Sequence, residues 1–556
     1  MAIWTVNTNA DDGSVDTDNH VGSLRGCIGA AASGDTIQFD AVIFSPNVET
    51  SILLENALSV ASVNNVTIDG GETWLDNGVL KTRVILDAQQ NSRIFLGSQS
   101  LSTTFNGVTF QNGKLTGSST QGAGVHVRDS SYNSVTSYFN NCVFKNCVNT
   151  SANGGGLYLG SGAKAEVDNC YFITCGAVNG GGIYTSDQSQ AIVNDSKFLG
   201  TANNIADGGG ICLFSGSTAT LNNCTFNACK VVNHGGGFAV LSSATLTLTN
   251  CTFNACQTTG ETNSRGGGGY VSSTNGATIN NCVFNNCSSG RGNGLCISSS
   301  APAVINNCTF SNNPSNRNLY VDSTGQITFT GNNVIDAALL GGTNADTNIY
   351  ISGTLTIGSF FIGVGNTVTF DGTDRILAVT SSTNTTINAA TFQTSTSSTG
   401  YLALHEGATA PPVGDGVKVC AYGAGVQSVA ATISDSTTAS LTWTQTNANV
   451  PILVELLDNG SWTTLNNSAT SPYVATLDSA YQQTFRFFDG SSFLTATTPN
   501  APVDPTKTGF YRINDWAALN WNITSWVDAT SGGDGGRDDA CAFTVSNWAI
   551  DPEINE

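Results

Sequence analysis

The feature that most constrains the fold is an internal repeat. Asn141-Cys142-Val143-Phe144 recurs as Asn169-Cys170-Tyr171-Phe172, Asn223-Cys224-Thr225-Phe226, Asn250-Cys251-Thr252-Phe253, Asn281-Cys282-Val283-Phe284 and Asn307-Cys308-Thr309-Phe310. Asp195-Ser196-Lys197-Phe198 is a degenerate copy. Between the blocks lie glycine runs followed by apolar residues, such as Gly154-Gly155-Gly156-Leu157 and Gly180-Gly181-Gly182-Ile183. The last glycine of each run, or the third of the four at Gly266–Gly269, precedes the next Phe by 16 residues (156 to 172, 182 to 198, 210 to 226, 237 to 253, 268 to 284 and 294 to 310). The return from Phe to glycine varies from 10 to 15 residues, so one loop absorbs every insertion. A period of 26 to 31 residues of short apolar strands, with no helical pattern inside it, predicts one turn of a three-sided parallel β-helix. Its coils would stack about 4.8 Å apart.

Within a coil, Leu246 and Leu248 point inward, Asn250 breaks the alternation at a corner, and Cys251 and Phe253 resume it on the next face. Asn141, Asn169, Asn223, Asn250, Asn281 and Asn307 should form a ladder, each amide bonding to the next coil and satisfying corner backbone groups. This reading takes the Asn-Cys-Thr sequons at 223, 250 and 307 as ladder residues rather than glycan acceptors. The glycine runs are expected at corners that need positive φ or a close approach of neighbouring coils. Cysteines fall in two columns, Cys142, Cys170, Cys224, Cys251, Cys282 and Cys308, then Cys147, Cys175, Cys229, Cys256 and Cys287. Disulfides between stacked or adjacent members, and a ladder of buried free thiols, are both open readings. The C-x4-C spacing without nearby His disfavours zinc.

Only 11% of the 556 residues are charged, which excludes long charged helices and coiled coils. Residues 1–93 hold 4 Lys/Arg against 12 Asp/Glu, residues 94–330 hold 9 against 8, and residues 331–556 hold 6 against 20. A neutral middle between acidic ends, with no basic stripe, excludes nucleic acid as a partner. No apolar run is long enough for a transmembrane helix, and the start at Met1, Ala2, Ile3, Trp4 has neither a basic segment nor an apolar leader. Sixteen Cys and a neutral Asn/Ser/Thr/Gly surface favour an extracellular or cell-surface protein whose signal peptide has been removed over an intracellular one.

With the repeats in view, residues 105 to 330 resemble bacterial parallel β-helix surface proteins, including the chlamydial polymorphic outer membrane proteins. Those pair a Gly-Gly-apolar block with Phe-x-x-Asn. Phe310-Ser311-Asn312-Asn313 keeps the second motif, while most copies end in Cys, as in Phe253-Asn254-Ala255-Cys256. The segment Gly22-Ser23-Leu24-Arg25, then Cys27, Ile28 and Gly34-Asp35-Thr36-Ile37-Gln38-Phe39-Asp40, is similar to the opening of secreted bacterial β-helix proteins. Physically, Ser23 can N-cap a short helix that lids the solenoid, Gly34 would end it, and Ile37 and Phe39 begin the first strand. An autotransporter barrel and a sorting tail are missing from the match.

The expected fold class is therefore all-β: a right-handed parallel β-helix with an N-terminal cap, followed by a small β-sandwich and a Trp-rich C-terminal subdomain. The domains read as 1–93 cap and first coils, 94–418 β-helix, 425–500 sandwich and 504–556 cap or contact segment. Residues 425–500, with Leu441-Thr442-Trp443, Ile452-Leu453-Val454-Glu455-Leu456 and Phe485-Arg486-Phe487-Phe488, resemble a fibronectin type III-like sandwich, and strands every eight to twelve residues support one independently.

Many β-helices are polysaccharide lyases or glycoside hydrolases, so clustered acids with a base must be sought. The regular coils hold few acids, Glu166, Asp168, Asp187, Asp195, Asp207 and Glu261, which share no column; His234-Gly235-Gly236 is the nearest imitation of a catalytic motif. His20, His126 and His405 are isolated, and no catalytic residue or phosphate loop is assigned. Asp11, Asp12, Asp16 and Asp18, and separately Asp534, Asp538 and Asp539, offer oxygen ligands for Ca²⁺; solvated polar loops are the other reading. No other cofactor is expected. The favoured function is a non-enzymatic structural or adhesive surface protein whose partner is itself or surface glycans and proteins, with a carbohydrate-active enzyme as the rival. In its sharper form the chain polymerises head to tail through Ile3, Trp4, Trp516, Trp521 and Trp526 into a filament or layer.

Overall fold

A computed structural model describes residues 1–498, except 61–64, 98–101, 118–119, 129–135, 202–205, 261–263, 299–302, 314–317, 322–325, 341–347, 363–366, 382–384, 386, 388–390, 406–407, 436–437, 449, 459–460, 477–482 and 491. Trp516, Trp521, Trp526, Asp534, Asp538, Asp539 and the whole segment 504–556 therefore lie outside the described residues, as does Glu261. The described residues fall into two compact units, one within 1–402 and 408–418, the other within 403–405 and 419–498.

The first unit is a three-sided parallel β-helix. One face stacks Lys164–Asp168, Gln190–Asn194, Thr218–Asn222, Thr245–Thr249 and Ala277–Asn280, each parallel and in register with the next. A second stacks Tyr171–Ile173, Lys197–Leu199, Thr225–Asn227, Thr252–Asn254 and Val283–Asn285. The third stacks Leu157–Leu159, Ile183–Thr185, Ile211–Leu213, Phe238–Ser242 and Gly269–Ser273. Parallel crossovers of this kind are right-handed almost without exception.

The fixed 16-residue body has a packing cause. Phe110, Phe144, Phe172, Phe198, Phe226, Phe253, Phe284 and Phe310 form one column, with successive ring centroids 4.4–4.9 Å apart and planes within 17° of parallel. A glycine that stands 16 residues before a column Phe lies against that ring. A Cβ at Gly210 would sit 2.4 Å from the Phe226 ring and 2.6 Å from the carbonyl oxygen of Gly237. The first glycine instead turns the corner with positive φ, as at Gly180 (64°) and Gly208 (67°).

The later coils are built differently. Gln326–Leu340 is one continuous strand that pairs in turn with strands of all three faces, and Asn348–Ile362 repeats its course in register. A hairpin of Thr73–Asp76 and Val79–Thr82, which the sequence reading missed, lays Leu80 against Val143 and Tyr171 on the outside of the solenoid.

At the N-terminus, Ile3–Val6 is the first strand and pairs in parallel with Thr36–Phe39. Ser23 caps the helix Leu24–Ala30, its hydroxyl accepting from the amide N–H of Gly26. The helix ends at Ala30 rather than at Gly34. Ala31 is already extended (ψ 141°), and Gly34 (φ 88°) serves the turn into Thr36–Phe39 instead.

The second unit is antiparallel. Val426–Asp435, Thr438–Gln445 and Tyr473–Thr476 make one sheet, while Ser461–Ala469, Ile452–Asp458, Thr484–Phe488 and Phe493–Thr497 make another. Leu441, Trp443, Ile452, Val454, Phe485 and Phe487 form its core. Glu455 is fully buried and pairs with Arg486 at 2.6 Å, and the guanidinium lies over the rings of Trp462 and Phe493 at 4.3 and 4.5 Å.

Candidate functional site

The corner asparagines adopt left-handed backbone, from 48° at Asn169 to 56° at Asn223 and Asn250, which Asn tolerates better than other non-glycine residues. Stacked at one coil per rung, they bond along the rod. Nδ2 of Asn169 donates to Oδ1 of Asn141 (2.7 Å), Asn223 to Asp195 (3.1 Å), Asn250 to Asn223 (3.2 Å) and Asn281 to Asn250 (3.2 Å). At Asn307 the side-chain oxygen accepts from the amide of Asn332. Asp195 keeps the oxygen that accepts from Asn223 but has no amide to donate to Asn169, so the degenerate copy interrupts the ladder on that side. Two further ladders escaped the sequence reading: Asn222 on Asn194 (2.9 Å), and Asn254 and Asn285 on Asn227 and Asn254 (2.9 and 3.0 Å).

All fifteen described cysteines are buried free thiols. Those of the two columns point inward, and all but Cys282 lie within hydrogen-bond reach of a carbonyl of the preceding coil, as Cys170 does of Phe139 (3.2 Å) and Cys175 of Phe144 (3.3 Å). Ser196 and Thr201 interrupt the two columns in the same coil, between Cys170 and Cys224 and between Cys175 and Cys229. Beyond Cys308 and Cys287, inward Asn333 and Asn313 accept from the cysteine amides and end the columns.

Titratable groups gather elsewhere, on the outer side of the third face. The residue before each glycine run forms one column, Asn179, Asp207, His234, Arg265 and Arg291, whose members pair as successive parallel bridges. Five residues on, a second column runs His126, Tyr158, Tyr184, Cys212, Ala239, Tyr270, Cys296 and Tyr320 in register. Where tyrosine lapses to Cys212 and Ala239, the acid and the imidazole take its place: Asp207 lies by Cys212 and His234 packs on Tyr270 at 4.6 Å.

Upstream the column is a polar ladder, with Asn179 donating to Asn153 (2.9 Å) and the Asp207 amide to Asn179 (3.1 Å). At Asp207 it breaks. Oδ1 of Asp207 and Nδ1 of His234 are buried, and neither has a hydrogen-bond partner. Burial pushes the Asp207 carboxyl up to about 6, while burial and the Arg265 guanidinium hold His234 below the ordinary imidazole range. Arg265 donates to Ser298 (3.1 Å) and Tyr270 (3.5 Å). A recess beside Asp207, lined also by Thr201 and Lys230, has room for about one water molecule and not for a drug-sized ligand.

An acid that titrates near neutrality beside a neutral imidazole is the pairing acid–base chemistry uses. A thiol nucleophile is a different matter, because burial drives Cys212 far above the ordinary thiol range. The sequence signal for this column was present at His234-Gly235, but it could be seen only by aligning the residue before every glycine run.

The four N-terminal acids do not converge. Asp11 is fixed by the Arg25 fork (2.8 and 2.6 Å) and the Glu55 amide (2.9 Å), Asp12 accepts from Ser14, and Asp16 accepts from Asn19. Those hydrogen bonds lower Asp12 and Asp16, and Asp18 donates its amide to Asp16. Among the described residues no three His, Cys, Asp or Glu are placed to hold a metal ion. Ile3 is exposed, but Trp4 turns inward, donating from its indole to Asp35 (3.2 Å) and packing on His20, which removes it from any contact surface.

The fold and these stacked columns define a right-handed parallel β-helix protein. Comparison with family models agrees: residues 92–262 match the right handed beta helix region. No curated protein matches the chain. No solved structure matches it. Among the described residues no helix is long and apolar enough to cross a membrane.

Proposed function

We propose that the protein is an extracellular or cell-surface β-solenoid with structural or adhesive work. The observation that carries this reading is the division between a uniform interior and a varied exterior. Phe repeats in every regular coil, and Cys and Asn in all but the Asp195–Thr201 coil, whereas the outer column changes chemistry rung by rung through Asn179, Asp207, His234, Arg265 and Arg291. Such a rod holds unlike side chains about 4.8 Å apart on a rigid backbone. Residues 425–500 fit a fibronectin type III-like spacer in this reading, and residues 504–556 a contact segment; Ca²⁺ at Asp534, Asp538 and Asp539 belongs to the same proposal. Head-to-tail polymerisation is its sharper form, with Ile3 at one end. Binding of the purified chain to arrayed surface glycans and proteins tests it, with loss of binding expected for Arg265→Ala plus Arg291→Ala; a chain that binds none of them and stays monomeric overturns it.

A second reading, a carbohydrate-active enzyme, draws on the Asp207 and His234 pair. Product release from acidic or neutral polysaccharides that disappears in both Asp207→Asn and His234→Ala would establish it.

A further inference from the structure

The three faces of the solenoid do not begin alike. The first starts at Ile3–Val6, whose outer edge is closed by Val21–Gly22, the amide of Thr5 donating to the His20 carbonyl (2.8 Å) and that of Asn7 to Gly22 (3.1 Å). The third starts at Leu58–Ser59. Just before it the Arg25 guanidinium donates to the carbonyls of Asn56 (2.8 Å) and Ala57 (3.2 Å), and Asp11 accepts from the Glu55 amide (2.9 Å). The second starts at Thr50–Leu53, and among the described residues that strand pairs with Val84–Asp87 alone. Thr50 and Leu54 turn their amides toward that neighbour, donating to Arg83 and Asp87 (both 2.8 Å), so the alternation leaves the amides of Ser51 and Leu53 on the open edge.

An open edge is a template for pairing, and proteins normally blunt it with charge, proline or a bulge. Thr50-Ser51-Ile52-Leu53 has none of these. Leu53 is 53% exposed, and the loop leading into the strand adds Val42 (83%), Val48 (53%) and Ile43 (39%), the Ile43 carbonyl accepting from the Thr50 hydroxyl (3.4 Å). The surroundings are acidic. Residues 1–93 carry 12 Asp/Glu against 4 Lys/Arg, and all four cations are engaged. Arg25 is held by Asp11, Lys81 by Glu49, Arg83 by the carbonyls of Gly70, Phe44 and Phe39, and Arg93 by those of Gln121 and Gly122. Glu49 precedes the strand and exposed Glu55 follows it. A second copy would bring the same surplus of acid to this edge, so like charges oppose self-pairing.

We propose that Thr50–Leu53 is an acceptor edge for an extended segment of a partner protein, apolar opposite Leu53 and flanked by lysine or arginine. Main-chain bonds from the partner's carbonyls to the amides of Ser51 and Leu53 supply the attraction, and the acidic surround selects the charge. The edge lies on the first coil, away from the Asp207 column, so its occupation does not depend on whether the rod is adhesive or catalytic.

The experiment is hydrogen exchange of the full chain, resolved to single amides, with a synthetic peptide of alternating valine and threonine carrying paired lysines at both ends. Saturating peptide should slow exchange at Ser51 and Leu53 at least about tenfold. Leu53→Lys sets a cation against the cationic flanks and should weaken binding about tenfold, and added salt should weaken it as well. The same peptide N-methylated along its core keeps its charge and side chains but loses its edge, and should not bind. Undiminished binding of the methylated peptide would overturn the proposal. So would equal binding of a peptide with glutamates in place of the lysines, protection elsewhere with residues 50–54 unchanged, or no binding of the lysine peptide. Protection of Ser51 and Leu53 that grows with chain concentration in the absence of peptide would assign the edge to a second copy and equally overturn it. Should Leu53→Lys fail to fold by circular dichroism, the methylated and glutamate peptides decide the matter on the natural chain.

Discussion

Replacing Phe226 by Ala tests the packing logic at its centre. The ring is fully buried between Phe198 (4.4 Å, 1°) and Phe253 (4.7 Å, 16°), and it also abuts Gly210. Its removal loses the transfer free energy of the ring and leaves a hole that in-register coils cannot close without shortening the rod. Core Phe→Ala changes cost about 3–5 kcal/mol, and the two stacked faces place this one at the upper end. Because a solenoid is stabilised by nearest-neighbour interfaces, the loss should be local to adjacent coils. Amide hydrogen exchange read by mass spectrometry should show deprotection over residues 190–260, with residues 36–110 and the second unit unchanged. Gly210→Ala alone should destabilise too, since the new methyl meets both the ring and the Gly237 carbonyl; in the double variant the ring clash vanishes, so the two costs should fall short of additive. A loss under about 1 kcal/mol for Phe226→Ala, or deprotection spread evenly over the rod, would refute the reasoning.

Three more outcomes follow from the same contacts. Asp207 has a folded pKa near 6, above the ordinary 3.8, so its contribution to stability is complete below pH 4 and is lost as pH rises through 6; denaturant titrations of Asp207→Asn against the natural chain should show a difference that grows between pH 4 and 7 by about 3 kcal/mol. The fifteen described cysteines should resist a thiol reagent in the folded protein and react on unfolding, and rapid native labelling of more than one or two would contradict their burial. Glu455→Ala should cost the second unit about 3–5 kcal/mol by stranding Arg486, whereas Glu455→Leu with Arg486→Met should be close to neutral, both read by chemical denaturation.

The repeated coils were legible because their cause is local and repeated: Phe226 fixes Gly210, and a left-handed corner selects Asn223. Stacking one coil on the next then converts sequence period into contact. What the sequence hid depends on comparing unlike residues at one register. Asn179, Asp207, His234, Arg265 and Arg291 share no chemistry, so only the bridges between them expose a column. Gly34 misled for a related reason, because its positive φ serves the turn into Thr36 while Ala31 had already ended the helix. Trp4 read as a contact residue because its partner, Asp35, lies 31 residues away.

The central claim is that consecutive repeats stack in register, one coil per rung. Glu166 and Val304 occupy one register position five coils apart, through Ile192, Thr220, Thr247 and Thr278. Spin labels at Glu166→Cys and Val304→Cys, read by pulsed dipolar spectroscopy, should give one narrow distance near 24 Å, five steps of about 4.8 Å. A broad distribution, or a mean beyond about 35 Å, would contradict the stacked-coil account.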